Sequence, residues 1–172
     1  MRILGALLAT TMVLATSPLA LKAAHAEDLN EGGVDFLNFA IGHYDIFDND
    51  NAIDLRVEYR PASSVFIKNL KPWAGLEVTT DASLWIGGGL LYDWNFQDSW
   101  YLTPSFGAGL YAQGSSDLDL GHPIEFRSQL EISYAFDNDA RVGLAFSHLS
   151  NADLDRHNPG TEVLSLSISY PF

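Results

Sequence analysis

The chain has 172 residues, no cysteine and a formal net charge of −13, with 22 acidic residues against nine lysines and arginines. So acidic a surface disfavours nucleic acid and simple anions as partners, because both require a basic face. Without cysteine there are no disulfides, so stability must come from packing or from closure of a sheet.

Residues 1–26 open with Met1-Arg2, continue as an apolar run to about Leu21 and end in Ala24-His25-Ala26, a small-x-small cleavage pattern. They are expected to be a cleaved signal peptide, leaving 27–172 as one domain. Removal takes Arg2 and Lys22 with it, so seven basic residues remain against 22 acidic ones, a formal charge of −15. After residue 26 no apolar stretch is long enough for a transmembrane helix.

The rest of the chain shows a two-residue apolar–polar period in eight runs and almost no helical period. The runs cover residues 34–46, 52–60, 66–80, 83–92, 100–111, 124–136, 141–150 and 162–172. The second sets Ile53, Leu55, Val57 and Tyr59 against Asp54, Arg56, Glu58 and Arg60. The sixth sets Ile124, Leu130, Ile132 and Tyr134 against Glu125, Arg127, Gln129 and Glu131. Asp48-Asn49-Asp50-Asn51 lacks the glycine and distal glutamate of a calcium loop and reads as a solvated turn. Gly87-Gly88-Gly89 falls inside a strand and marks a bend or close packing.

Eight alternating strands in an exported chain predict an all-β, eight-stranded antiparallel up-and-down barrel. Three features favour a transmembrane barrel, apolar face outward. The polar faces mix both signs of charge, which can pair in a narrow lumen. Tyr59, Tyr92, Trp100, Tyr134 and Tyr170 lie near strand ends, as an interfacial girdle would. The last strand ends in Phe172 with apolar or aromatic residues at alternate positions, which resembles the C-terminal signature of bacterial outer-membrane barrels. With an even strand number both termini face the periplasm, and the long connections 114–123 and 151–161 face outward while 137–139 is a short periplasmic turn. The alternative is a soluble lipocalin-like barrel, with its apolar face turned inward.

In the seventh strand Val142, Leu144, Phe146, His148 and Ser150 share the lipid face, and Glu162 shares it in the eighth. All three polar residues fall at the outer end of the wall, where an ionisable group is costly and needs a reason. The residue types suit a serine hydrolase: Ser150 as nucleophile, His148 as base and Glu162 as the group that orients the imidazole. Asn151 is the expected oxyanion donor, while Asn158, Pro159 and Gly160 shape the loop. This chemistry requires no metal or cofactor.

His148-x-Ser150-Asn151, Asn158-Pro159-Gly160 and Glu162 resemble the active-site segment of outer-membrane lipid A 3-O-deacylases over about the last 30 residues. The resemblance implies an eight-stranded barrel with a Ser-His-Glu triad, lipopolysaccharide as substrate, and hydrolysis of the ester that joins a 3-hydroxyacyl chain to position 3 of the glucosamine disaccharide. A non-enzymatic small barrel for adhesion or envelope integrity is the competing expectation. Its function would lie in long outer loops, whereas those here are about ten residues.

Overall fold

The structure is a computed structural model that describes residues 33–48 and 52–172. The signal segment expected over 1–26, like residues 49–51 of the Asp48–Asn51 turn, lies outside the described residues.

The described residues form nine strands: β1 (Phe36–Tyr44), β2 (Ala52–Arg60), β3 (Leu70–Thr79), β4 (Leu84–Tyr92), β5 (Trp94–Gln97), β6 (Trp100–Ala112), β7 (Ile124–Ala135), β8 (Arg141–Ser150) and β9 (Thr161–Pro171). Every pairing is antiparallel. The order runs β4-β3-β2-β1-β9-β8-β7-β6-β5, and β4 also pairs with β6, which closes the sheet. The described residues therefore form an all-β, closed antiparallel barrel of eight staves.

Nine strands make eight staves because β4 and β5 are one stave broken at Asp93. Both pair with β6, from Leu84↔Ala112 through Leu91↔Ser105, and again from Trp94↔Leu102. Asp93 keeps the inward phase of Trp85 and Leu91, and its carboxylate accepts from Arg141 at 2.7 Å and meets Lys71 at 3.3 Å in the lumen. The third run is also shorter than its alternation suggests. Phe66 and Asn69 have φ of 62° and 67°, so the chain turns there and the strand begins at Leu70. The apolar–polar rhythm had simply run on through a turn.

The two faces are sorted as a membrane barrel requires. Ile53, Leu55, Val57 and Tyr59 of β2 point outward and are exposed, whereas Asp54, Arg56, Glu58 and Arg60 are buried. Inside, Arg127 meets Glu77 at 3.1 Å and pairs with Glu58, Arg56 meets Asp54 and Glu77 at 3.1 Å, and Arg60 meets Glu131 at 3.0 Å. A lipocalin-like barrel would turn its apolar face inward, and the observed sorting is the reverse, so that alternative is set aside. Trp73 and Trp85 stack inside at 5.9 Å, and the Arg127 guanidinium lies 4.4 Å from the Trp73 ring.

Exposed Tyr59, Tyr92, Trp94, Trp100, Tyr134 and Tyr170 encircle the end that carries both termini. These aromatics form a girdle at one membrane interface. There Asp35 accepts from the Tyr59 hydroxyl at 2.6 Å and the Ala62 amide at 2.7 Å, which holds its carboxyl below the usual 3.8. Among the described residues, the opposite end carries segments 45–48, 80–83, 113–123 and 151–160. It is plugged by Tyr44, Trp85, Leu120, Leu149 and Val163, all buried.

Candidate active site

The site stands on the last hairpin. In the β8–β9 ladder His148 lies directly opposite Glu162, and the inward residues on either side, Ser147, Leu149, Thr161 and Val163, are fully buried. That inner packing holds the two outward side chains in place. His148 Nδ1 is 2.9 Å from Glu162 Oε1. A carboxylate can only accept, so Nδ1 carries the proton and Nε2 is left as the base. Both side chains are part-exposed, 39% for His148 and 25% for Glu162.

Ser150 is two residues beyond His148 on the same face, about 6–7 Å along the strand. No hydrogen bond joins its hydroxyl to the imidazole among the described residues. Histidine–serine contacts in empty hydrolase sites commonly close only when substrate is bound. Hence two members of the trio are in contact, and the third lies on their face.

Gly160 explains how the space between them stays open. Its φ is +69°, and a Cβ there would stand 2.7 Å from His148 Cε1 and 3.4 Å from Nε2. The β8–β9 ladder ends at Leu149↔Thr161, and Gly160 is the residue just before it. The glycine therefore clears the approach to the basic nitrogen.

Loop 151–160 is built around Asn151, which is fully buried. Its backbone N–H donates to Asn158 Oδ1 at 3.0 Å, and its amide donates to the Leu120 and His157 carbonyls, each at 2.8 Å. Asn158 donates in turn to Asp153 at 3.1 Å. All three N–H protons of Asn151, the expected oxyanion donor, are thus engaged within the loop. The second outer loop closes on the first at Gly121, with φ of +87°, where a Cβ would meet the His157 carbonyl oxygen at 1.9 Å.

Two neighbours escaped the sequence reading. Ser128, exposed on β7, lies directly across from His148, on the side away from Glu162. Phe47, from the connection after β1, packs on Phe146 with ring centroids 6.3 Å apart, and the next-door Ile46 N–H donates to the Glu162 carbonyl at 3.2 Å. Cross-strand register would reveal the first. The second is a loop contact with no local signal.

Together, fold and site define a small membrane barrel with a histidine–carboxylate pair on the lipid-facing side of its wall, at the end away from the aromatic girdle. The sequence profile of the lipid A 3-O-deacylase (PagL) family matches residues 62–171, and the chain belongs to that family. The match reaches well upstream of the C-terminal segment on which the resemblance rested. The chain is similar to the lipid A deacylase PagL of Bordetella bronchiseptica, 26% identical over 174 residues that take in 91% of this chain and 92% of the relative. Its fold is similar to the solved outer membrane enzyme PagL, with a TM-score of 0.60 and 21% identity over 80% of this chain and 99% of that one. It is also similar to Neisserial surface protein A, with a TM-score of 0.61 and 12% identity over 80% and 97%. The protein is a barrel of the bacterial outer membrane.

Proposed function

We propose that the protein is a serine esterase that hydrolyses the 3-O-linked acyl ester of lipid A in the outer leaflet, after export directed by residues 1–26. The observation that carries the reading is the outward-facing His148–Glu162 contact at the rim, with Ser150 on the same face. An ionisable pair on the lipid side of a wall is costly unless it works on something there. A lipid ester in the outer leaflet can reach this site without leaving the bilayer.

The Ser150 oxygen attacks the acyl carbon while its proton passes to His148 Nε2. Glu162 holds the Nδ1–H and stabilises the imidazolium. Collapse of the tetrahedral intermediate breaks the ester bond, and the sugar oxygen leaves with the proton from His148. Water then attacks the acyl-serine with His148 again as base, the free fatty acid departs and Ser150 regains its proton. Asn151, Asn158 and Gly160 shape the loop that frames this space. Turning Asn151 onto the oxyanion would cost one of its loop bonds, so it enters the reaction by holding the loop.

The test is lipid A mass spectrometry from cells with and without the protein. Wild type is expected to remove one acyl chain from position 3. Ser150→Ala should insert normally and lower activity about a thousandfold or more. Ser128→Ala is the matched control and should stay active. Full deacylation by Ser150→Ala would remove Ser150 from the mechanism.

A further inference from the structure

A polar cavity of about 210 Å³ lies at the mouth of the lumen, on the end that carries both termini. Five charged residues line it: Lys68, Lys71 and Arg141 against Asp93 and Asp139. Of the seven basic residues after residue 26, Arg56, Arg60 and Arg127 pair with the lumen carboxylates and Arg156 is exposed in loop 151–160; the other three are these. The cavity is therefore net positive on a strongly acidic chain. Its one buried carboxylate is already in full use. Asp93 accepts from the two terminal nitrogens of Arg141 at 2.7 and 3.2 Å, from Lys71 at 3.3 Å and from the Thr103 hydroxyl at 3.4 Å. Two largely buried cations thus share one anion. The Arg141 guanidinium is held over the Tyr101 ring at 3.6 Å, and its Nε has no hydrogen-bond partner among the described residues. Lys68 and Asp139 are exposed at the rim. Nearby Asp35 is engaged by the Tyr59 hydroxyl and the Ala62 amide.

We infer that this cavity binds a phosphate group, either free or carried on the headgroup of an anionic phospholipid. It lies at the end expected to face the periplasm, away from His148, so the inference stands apart from the esterase reading. A cation held largely out of water needs a partner, and one shared carboxylate leaves Lys71 and Arg141 short of compensation. A phosphate supplies what is missing, because it offers several acceptor oxygens at once. Lys71 has two ammonium protons beyond the one given to Asp93, and Lys68 at the rim has three. The acidic surface elsewhere does not cancel this attraction. Exposed charges more than about 8–10 Å away are screened at physiological salt, whereas those around the cavity act at close range. A metal cation would meet three like charges and a carboxylate that is already saturated.

The experiment follows backbone amide NMR shifts of the barrel in two media. Inorganic phosphate is titrated in an uncharged detergent, with sodium chloride at matched ionic strength as the control for screening. The lipid-borne group is tested in phosphatidylcholine nanodiscs with and without phosphatidylglycerol. Binding is expected to shift the amides of Asn69, Lys71, Asp93 and Arg141 and to leave loop 151–160 in place. Lys68→Gln should weaken it about threefold, the scale of an exposed ion pair, and Lys71→Gln about tenfold or more, the scale of a hydrogen bond to a charged group. Arg156→Gln, at the opposite end, should bind as wild type. Shifts with inorganic phosphate support the site and show that a soluble anion suffices. Shifts with phosphatidylglycerol alone support it and assign the headgroup. Should Lys71→Gln insert poorly, Lys68→Gln, whose side chain is exposed, carries the test. Shifts that are absent in both media, equalled by chloride, or undiminished in the lysine variants overturn the inference and leave the esterase reading untouched.

Discussion

Gly160 concentrates the demands of the site in one position. Its backbone is left-handed, with φ of +69°, and the His148 ring occupies the place where a Cβ would go. Alanine there meets both problems. The backbone costs about 1–2 kcal/mol, and the imidazole must swing away from its approach to Ser150. Gly160→Ala is therefore expected to leave a folded barrel whose kcat falls roughly a hundredfold, the scale of a 1 Å misplacement. Steady-state kinetics on a soluble ester measure this, and an unchanged kcat would show that the ring position does not matter. Some of this was legible beforehand. A period of two puts His148, Ser150 and Glu162 on one face without knowledge of any partner. The part played by Asn151 was not, because its amide bonds the Leu120 carbonyl, 31 residues away. No local pattern encodes such a bond. Ser128 stayed hidden for a related reason, since facing His148 depends on a register that alternation leaves free.

Among the elements, β3, β4 and β6 show why glycines cluster in one part of the wall. Gly87 and Gly109 lie against the Trp85 ring and Gly107 against Trp73, each at a spot where a Cβ would come within 2.6 Å of the indole. The triple glycine therefore marks close packing, and the two tryptophans fill the lumen where the wall has no side chains. Gly109→Val overfills this region and should cost about 1–3 kcal/mol. A lowered midpoint in the heat-induced loss of the fast-migrating barrel band would register the cost, and an unshifted midpoint would mean the stack has room to move. The Asp93 break and the turn before Leu70 were the parts of the wall that alternation concealed. A polar residue inside a stave and a turn with the strand's own rhythm both depend on lumen partners and backbone angles.

At the scale of the whole molecule, the orientation of the barrel governs everything else. The charges that alternation identified turn inward, and all but Glu125 pair there, so the apolar residues have only the bilayer to face. Arg127 is central, meeting Glu58 and Glu77 while it lies over two indoles. Removing it takes one guanidinium from each of two buried carboxylates and leaves Glu58 with Arg60 and Glu77 with Arg56. Arg127→Ala should destabilise the barrel by about 3–5 kcal/mol, with part of the loss regained when Glu58→Gln removes one of those charges. Denaturant unfolding in micelles reads both, and a single variant as stable as wild type would mean the lumen network holds without its centre. The same inside-out arrangement puts the His148–Glu162 pair on the lipid side of the rim, where the proposed reaction would meet an ester in the leaflet.

The most direct measurement of that claim is covalent capture of the nucleophile. A fluorophosphonate reacts with a serine activated by a neighbouring base, and peptide mass mapping locates the adduct. The wild-type barrel in micelles is expected to carry one adduct on Ser150, greatly reduced in His148→Ala. An active enzyme that carries no adduct, or carries it on Ser128, would contradict the account.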